Sequence, residues 1–442
     1  MILFDFNRFT LFLTFCGLMI VGCSNSEDVS IKEEESETSI IEEESTNTVK
    51  DKEPQGEVSF FNSDLVYDGY ILVSGATSNR VYLMDKESNL LFDWPLNNTN
   101  LGKDATLLPS GKLLAMLEDN NAQIKFGGFG GKIQLLDKEG NIEWEFIYST
   151  QDYVLHHDAE MLPNGNILIQ TWERKTVAQA SEAGSNMNIE LFPDGIIEVN
   201  PATNEIVWEW HAWDHLIQDF DTTKNNYGSI AQNPHRIDIN YTQLEDGDMT
   251  HANGLTYDKE KDLIYLSVNF FSEIWVIDHS TTTTEAATSQ GGNYNFGGNL
   301  IYRFGNPEAY KNTTGTRRFF NNHHPNLDFQ NNSKSIFVFS NGQDLEQSTV
   351  YELEIPSVFS LLPNEDNEPK EIWSFTDPEL YSPKVSGAVP LPNGNVLITE
   401  GDFGLWEVTR AGEVVWKFNK PGFYWRGYHF DKDSPEIKAL NL

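Results

Sequence analysis

The stretch "PNGNILIQ", from Pro163 to Gln170, is a tight turn followed at once by a strand too apolar to have a wet face. Asn-Gly supplies the positive φ of a hairpin reversal. Ile167-Leu168-Ile169 reads as a strand covered on both sides. The pair recurs as "YDGYILVS" at Tyr67, "PSGKLLAM" at Pro109, "YDKEKDLIYLSV" at Tyr257, "FQNNSKSIFVFSNG" at Phe329 and "PNGNVLITEG" at Pro392. Between these copies runs a second repeat, strand, turn, then a strand with tryptophan near its end: "VYLMDKESNLLFDW" at Val81, "IQLLDKEGNIEWEF" at Ile133, "IIEVNPATNEIVWEW" at Ile196 and "LWEVTRAGEVVWKF" at Leu405. "KEIWSF" at Lys370 is a partial copy. About six units at a spacing of roughly 40 to 60 residues result. Strands apolar on both faces need neighbours on both faces, which a closed ring of stacked sheets supplies. The expectation is an all-β chain, a six-bladed β-propeller with a central channel. A sandwich suits the strand spacing but does not demand the long repeat.

The ends of the chain differ from this pattern. Residues 1–22 are apolar, contain Arg8, and suit a secretory signal better than a membrane span. Ile20-Val21-Gly22-Cys23 resembles a bacterial lipobox, which implies cleavage before Cys23 and lipidation of it. Residues 23–57 are an acidic tether, with almost no aromatic residues and a net charge of about −9, too polar to fold. The propeller then occupies 58–442. The two cysteines are Cys16 and Cys23, so the mature domain has no disulfide, thiolate metal site or cysteine nucleophile. A net charge of −37 argues against nucleic acid or an anionic membrane surface as the main partner. The expected place is extracytoplasmic, lipid-anchored to a bacterial membrane.

Five of the ten histidines fall in three clusters at one place in the repeat: His156-His157, His251 and His323-His324. His251 lies 18 residues before Asn269, and His323 lies 18 before Asn341, which aligns the two. Residues just before the innermost strand of each blade converge at one channel mouth. The matching position is Ser386 in the sixth unit and near Lys103 in the second. A histidine cluster allows two chemistries. Three histidines with Asp158 or Asp248 suit a metal. One histidine as nucleophile, with the others as donors, suits covalent transfer. His211 and His215 are four apart, beside Trp213, with Leu216 and Phe220 following. They read as an amphipathic lid helix rather than a metal pair. The Thr281 to Gly298 stretch reads as a long surface loop.

The motifs "HHDAEMLPNGNIL", "DMTHANGLTYD", "FSEIWVIDHSTTT", "LIYRFGNPEAY", "FFNNHHPNLDF" and "LPNGNVLITEGDFGLWEV" together resemble the bacterial arylsulfotransferase family, from about Val58 to the C-terminus. The resemblance implies transfer of a sulfuryl group from a phenolic sulfate ester to a phenolic acceptor. It implies no cofactor and no nucleotide sulfate donor, and the chain has no phosphate-binding glycine loop. It places the sulfated nucleophile on His323 or His324, with His157 and His251 in support. Members carry an arginine after the "HANGL" motif where this chain has Asn269. Arg303, Arg236 and Arg426 are the candidates to replace it, and His156 and Trp172 complete the expected substrate contacts, with Phe270 and Phe271 as further aromatic walls. No metal is expected. The competing expectation is a propeller that has lost the chemistry and only binds sulfated or phenolic ligands or a partner, a reading favoured by Asn269.

Overall fold

A computed structural model describes residues 54–75, 80–96, 99–328 and 335–442. The expected signal segment, Cys23 and most of the tether lie outside the described residues. The recurring turn is built the same way three times. Leu162 N–H donates to Asn166 O (2.8 Å) and Gly165 N–H to Leu162 O (2.9 Å). Leu108 with Lys112 and Gly111, and Leu391 with Asn395 and Gly394, repeat both bonds. Gly165 takes φ +85°, which a residue with a side chain rarely adopts.

The strand after each turn is covered on both faces, as its composition demands. Ile167–Glu173, Leu263–Val268, Ser335–Ser340 and Val396–Glu400 are buried at every residue. Each sits second in an antiparallel meander. Four sheets of four or five strands are separate: one begins with Tyr424–Phe430 beside Tyr70–Gly75, others begin with Ala252–Asp258, Asn322–Asp328 and Gly387–Pro390. An eight-stranded sheet holds two further meanders, starting at Leu101–Leu107 and Tyr153–Met161, joined through the parallel bridge of Lys103 with His157. The arrangement is all-β and propeller-like.

Two pairings tie the ends together. Tyr424–Phe430 supplies the first strand of the sheet that contains Tyr70–Gly75. Glu57–Phe61 adds an outer strand to Val414–Asn419. A buried ion pair, Lys86 Nζ to Glu407 Oε2 at 2.6 Å, crosses the same junction. The tryptophans of the second repeat bond outside their own meander. Trp416 donates its indole N–H to Lys86 O (2.8 Å), Trp144 to Asn204 Oδ1 (2.6 Å), Trp210 to Gly298 O (2.7 Å) and Trp373 to Arg410 O (3.0 Å). Apolar clusters fill the sheet interfaces, as where Leu168, Ile196 and Trp210 meet Ile264, Leu266 and Trp275. Burying each such side chain contributes roughly 1.5–3 kcal/mol.

Two local expectations are corrected. His211 to Phe220 is no lid helix: only Ala212–His215 coils, as a 3-10 turn, and Leu216–Ile217 pairs in parallel with Ile237–Asp238. The reason is polar. His215 is buried between Asn299 Oδ1 (3.0 Å) and Ala286 O (2.9 Å), and His211 turns to Glu173. Within the Thr281 to Gly298 loop, Thr283–Ala286 forms a short helix, capped by Thr282 with Glu285 in a capping box.

Candidate functional site

The innermost strands carry the histidines, and each is bulged there. The register slips between Leu101 and Ala105, between Ala252 and Gly254, between His323 and Asn326, and opposite His156 to Asp158. A bulge re-aims side chains that a regular pleat would alternate. His157, His251, His324 and Val385 all take the left-handed region, at φ +53°, +50°, +52° and +53°. For a β-branched residue such as Val385 this is strained, a cost of order 1–3 kcal/mol.

The bulges also correct the alignment of His251 with His323. Asn269 N–H bonds to His251 O (3.2 Å), whereas Asn341 N–H bonds to Asn321 O (2.9 Å). The counterpart of His251 in the pairing register is therefore Asn321, and His323 stands two residues further along its strand.

His323 shares a small pocket with Lys103, Asp104, His157, Asn253, Val385, Ser386, Trp425 and Arg426. Its tautomer follows from its neighbours. Asn341 Nδ2 donates to Ser382 O (2.9 Å) and Val385 O (3.0 Å), so its Oδ1 faces His323 Nδ1 at 2.6 Å as an acceptor. His323 thus holds its proton on Nδ1 and keeps its lone pair on Nε2, which accepts a hydrogen bond from the Val385 N–H at 3.2 Å. Burial pushes this imidazole down to about 3, so it is neutral at ordinary pH.

His251 is opposite in character. Burial disfavours its charge, but Asp248 Oδ2 at 2.5 Å from Nδ1 outweighs this and raises its pKa above the ordinary value. His157 packs edge-on against it, ring centroids 4.9 Å apart, and burial followed by the neighbouring cations holds His157 well below the usual histidine range. His156 lies behind. Its Nδ1 is 2.9 Å from His157 Nδ1, its Nε2 faces Asp194 Oδ1 across 2.8 Å, and its ring stacks on Trp172 at 3.8 Å.

His324 faces a different space. It lines a cavity of about 220 Å³ with Asp104, Asp158, Glu160, Arg426 and Tyr428. Arg426 separates the two spaces. It donates to Asp104 (2.8 Å), Asp158 (2.9 Å) and Asn253 O (3.1 Å). Burial holds Asp104 up at about 6 and Glu160 at about 8, despite Arg426.

The other expected contacts sit elsewhere. Arg303 is fully buried on Glu273 and on the carbonyls of Pro234 and Arg236, away from both spaces. Arg236 donates to the His215 and Leu216 carbonyls. Asn269 is committed to Asn321 and to Asn322 O. Trp172 and Phe271 are fully buried, and Phe270 stacks on His251 at 4.6 Å. Asp158 and Asp248, the carboxylates considered for a metal, serve Arg426 and His251, and no metal-holding cluster occurs among the described residues. Asn341 and Lys103 appeared in the sequence only as alignment markers. A buried asparagine 18 residues after a histidine was the signal available for the first.

A family model described as Arylsulfotransferase (ASST) matches residues 46–425. A comparison with curated proteins finds no match. Among solved structures, a protein of unknown function from Bacteroides caccae is 14% identical over 82% of this chain and 99% of its own, TM-score 0.47. The Pseudomonas aeruginosa periplasmic gluconolactonase is 12% identical over 82% and 99%, TM-score 0.40. These two likenesses carry no argument about activity.

Proposed function

The chain belongs to the arylsulfotransferase family, and from that premise we propose that it moves a sulfuryl group from a phenolic sulfate ester to a phenolic acceptor through a sulfohistidine on His323. The observation that carries the choice of His323 is the Asn341 clamp, which leaves Nε2 as the lone pair in the pocket shared with His157 and Lys103. His324 has no such clamp, and its cavity holds Asp158, whose carboxylate repels a sulfate ester, where the His323 pocket holds Lys103.

Nε2 attacks sulfur. The N–S bond forms as the S–O bond to the aryl group breaks, and the electron pair leaves on the phenolic oxygen. The proton stays on Nδ1, hydrogen-bonded to Asn341 Oδ1, so the intermediate is a sulfated imidazolium. His251, kept protonated by Asp248, gives a proton to the leaving oxygen. In the second half a phenol returns that proton to His251. Its oxygen attacks sulfur, and the N–S electron pair goes back to Nε2. Charge spreads over three sulfuryl oxygens, as in phosphoryl transfer, so positioning and electrostatics supply most of the acceleration. A nucleophile held neutral and an acid whose pKa is raised are the pairing such chemistry needs.

The same reading takes the eight-stranded sheet as two blades, which makes a six-bladed ring around a central channel. It places the enzyme outside the cytoplasm on a lipid anchor at Cys23, a point tested by membrane fractionation of Cys23→Ala. The chemical step is tested by intact-protein mass after brief mixing with 4-nitrophenyl sulfate and no acceptor. A gain of about 80 Da on His323 is expected. An adduct on His324, or none in folded protein, overturns the assignment.

A further inference from the structure

The site as described has a nucleophile and an acid, but its arginine is already neutralised. Arg426 has Asp104 and Asp158 on one nitrogen and Asn253 O on another. Arg303 is paired with Glu273, and Asn269 carries no charge. A dispersed anionic transition state in a buried pocket needs a cation with protons to give.

Lys103 reaches the same pocket from the bulge of Leu101–Leu107, where its backbone pairs with His157. Its Nζ lies 3.4 Å from the Trp425 ring centroid. Among the described residues no carboxylate forms an ion pair with it. A half-buried lysine held against an aromatic face, with no carboxylate ion pair among the described residues, is costly to keep for stability alone.

We propose that Lys103 is the cation that holds the sulfuryl oxygens during transfer at His323, supplying from another strand the charge that Asn269 does not. This rests on the sulfohistidine reading. The pocket has room for about one water, so the ester must displace a lining group. Lys103, held only by the π-face of Trp425, can swing from the ring to the entering anion. Burial pushes its ammonium down to about 7, with Glu118 resisting and Lys384 adding to the effect. His157, His251 and His323 face it as well, and each feels its charge. Asp104 and Arg426 also line the pocket and largely offset each other. The free enzyme therefore carries the charge below about pH 7 and loses it above, which gives kcat/KM an alkaline limb.

The test compares wild type, Lys103→Met and Lys103→Arg in single-turnover sulfation by 4-nitrophenyl sulfate, followed by mass across pH 5.5 to 9.5, alongside thermal unfolding. Lys103→Met is expected to be at least as stable as wild type, since a partly desolvated charge is removed. Its sulfation is expected to slow about 10²- to 10³-fold. Lys103→Arg is expected to recover much of the rate and to move the alkaline limb up to the one His251 sets. Sulfation of Lys103→Met at the wild-type rate, or an unchanged alkaline limb in Lys103→Arg, overturns the role of Lys103. If wild type forms no adduct, the sulfohistidine reading fails by itself. Affinity for 4-nitrophenyl sulfate then decides on Lys103, and wild-type affinity in Lys103→Met rejects it.

Discussion

His323 and His324 are neighbours in the chain, yet they face two spaces of different chemical character. On the His323 side stand imidazoles and Lys103. On the His324 side stand Asp158, Glu160 and Tyr428. Arg426 and Asp104 form the wall between, and each lines both spaces. Burial keeps both histidines neutral, so burial does not distinguish them. What distinguishes them is partnership: His323 has Asn341 to fix its proton, whereas His324 Nδ1 is buried with no hydrogen-bond partner and abuts Gly387. A site for an anionic ester needs a cation within the pocket to receive it and a fixed lone pair. One side has both.

The sharpest way to break this comparison is to remove each histidine in turn. His323→Asn should lower sulfuryl transfer by more than about 10⁴-fold, because no other group takes over as nucleophile. His324→Asn should retain transfer. Steady-state release of nitrophenol in the presence of a phenol acceptor reads both, and the reverse ranking would refute the division into two spaces.

The wall comes next. Arg426→Met leaves Asp104 and Asp158 facing each other without a counter-charge, and should destabilise the fold by about 3–5 kcal/mol, read from denaturant midpoints. An unchanged midpoint would mean the three groups are wetter than the structure implies.

Asn341→Ala frees His323 to place its proton on either nitrogen. Transfer should fall about 10²-fold or more while substrate affinity changes little, a split between kcat and KM. Equal changes in both would assign Asn341 to packing alone.

The smallest effect lies away from both spaces, at His211. Glu173 and then Glu209 overcome burial and raise it to about 10. A raised histidine contributes stability fully below its unfolded value near 6.5 and loses it as pH rises towards 10. The difference in unfolding free energy between wild type and His211→Gln should therefore shrink across that window. A difference independent of pH would show that the pair with Glu173 is not ionic.

Much of this architecture was legible in the residues. Asn-Gly turns such as Asn164-Gly165, and strands apolar on both faces such as Ile167 to Ile169, act locally and restrict the chain wherever it goes. The tryptophan near each outer strand end was visible as well, though its indole bond outside its own meander was not. The three histidine clusters could be placed at one end of the innermost strands because the repeat has a period. That Tyr424–Phe430 closes the first sheet could not be read from a period, since the partner strand lies at the other end of the chain. Nor could the two-residue offset between His251 and His323. It depends on where each bulge sits, and a bulge is decided by the neighbouring strand.

The local pattern, then, set the turns, the buried strands, the all-β class and the neighbourhood of the histidines, because φ preferences and burial on both faces are properties of short segments. Which way each histidine points, which arginine is spent on carboxylates, and that Lys103 has no carboxylate ion pair among the described residues depended on contacts between residues hundreds of positions apart, such as Arg426 with Asp104. Charge is a property of a residue, but its free energy belongs to whatever the fold brings beside it.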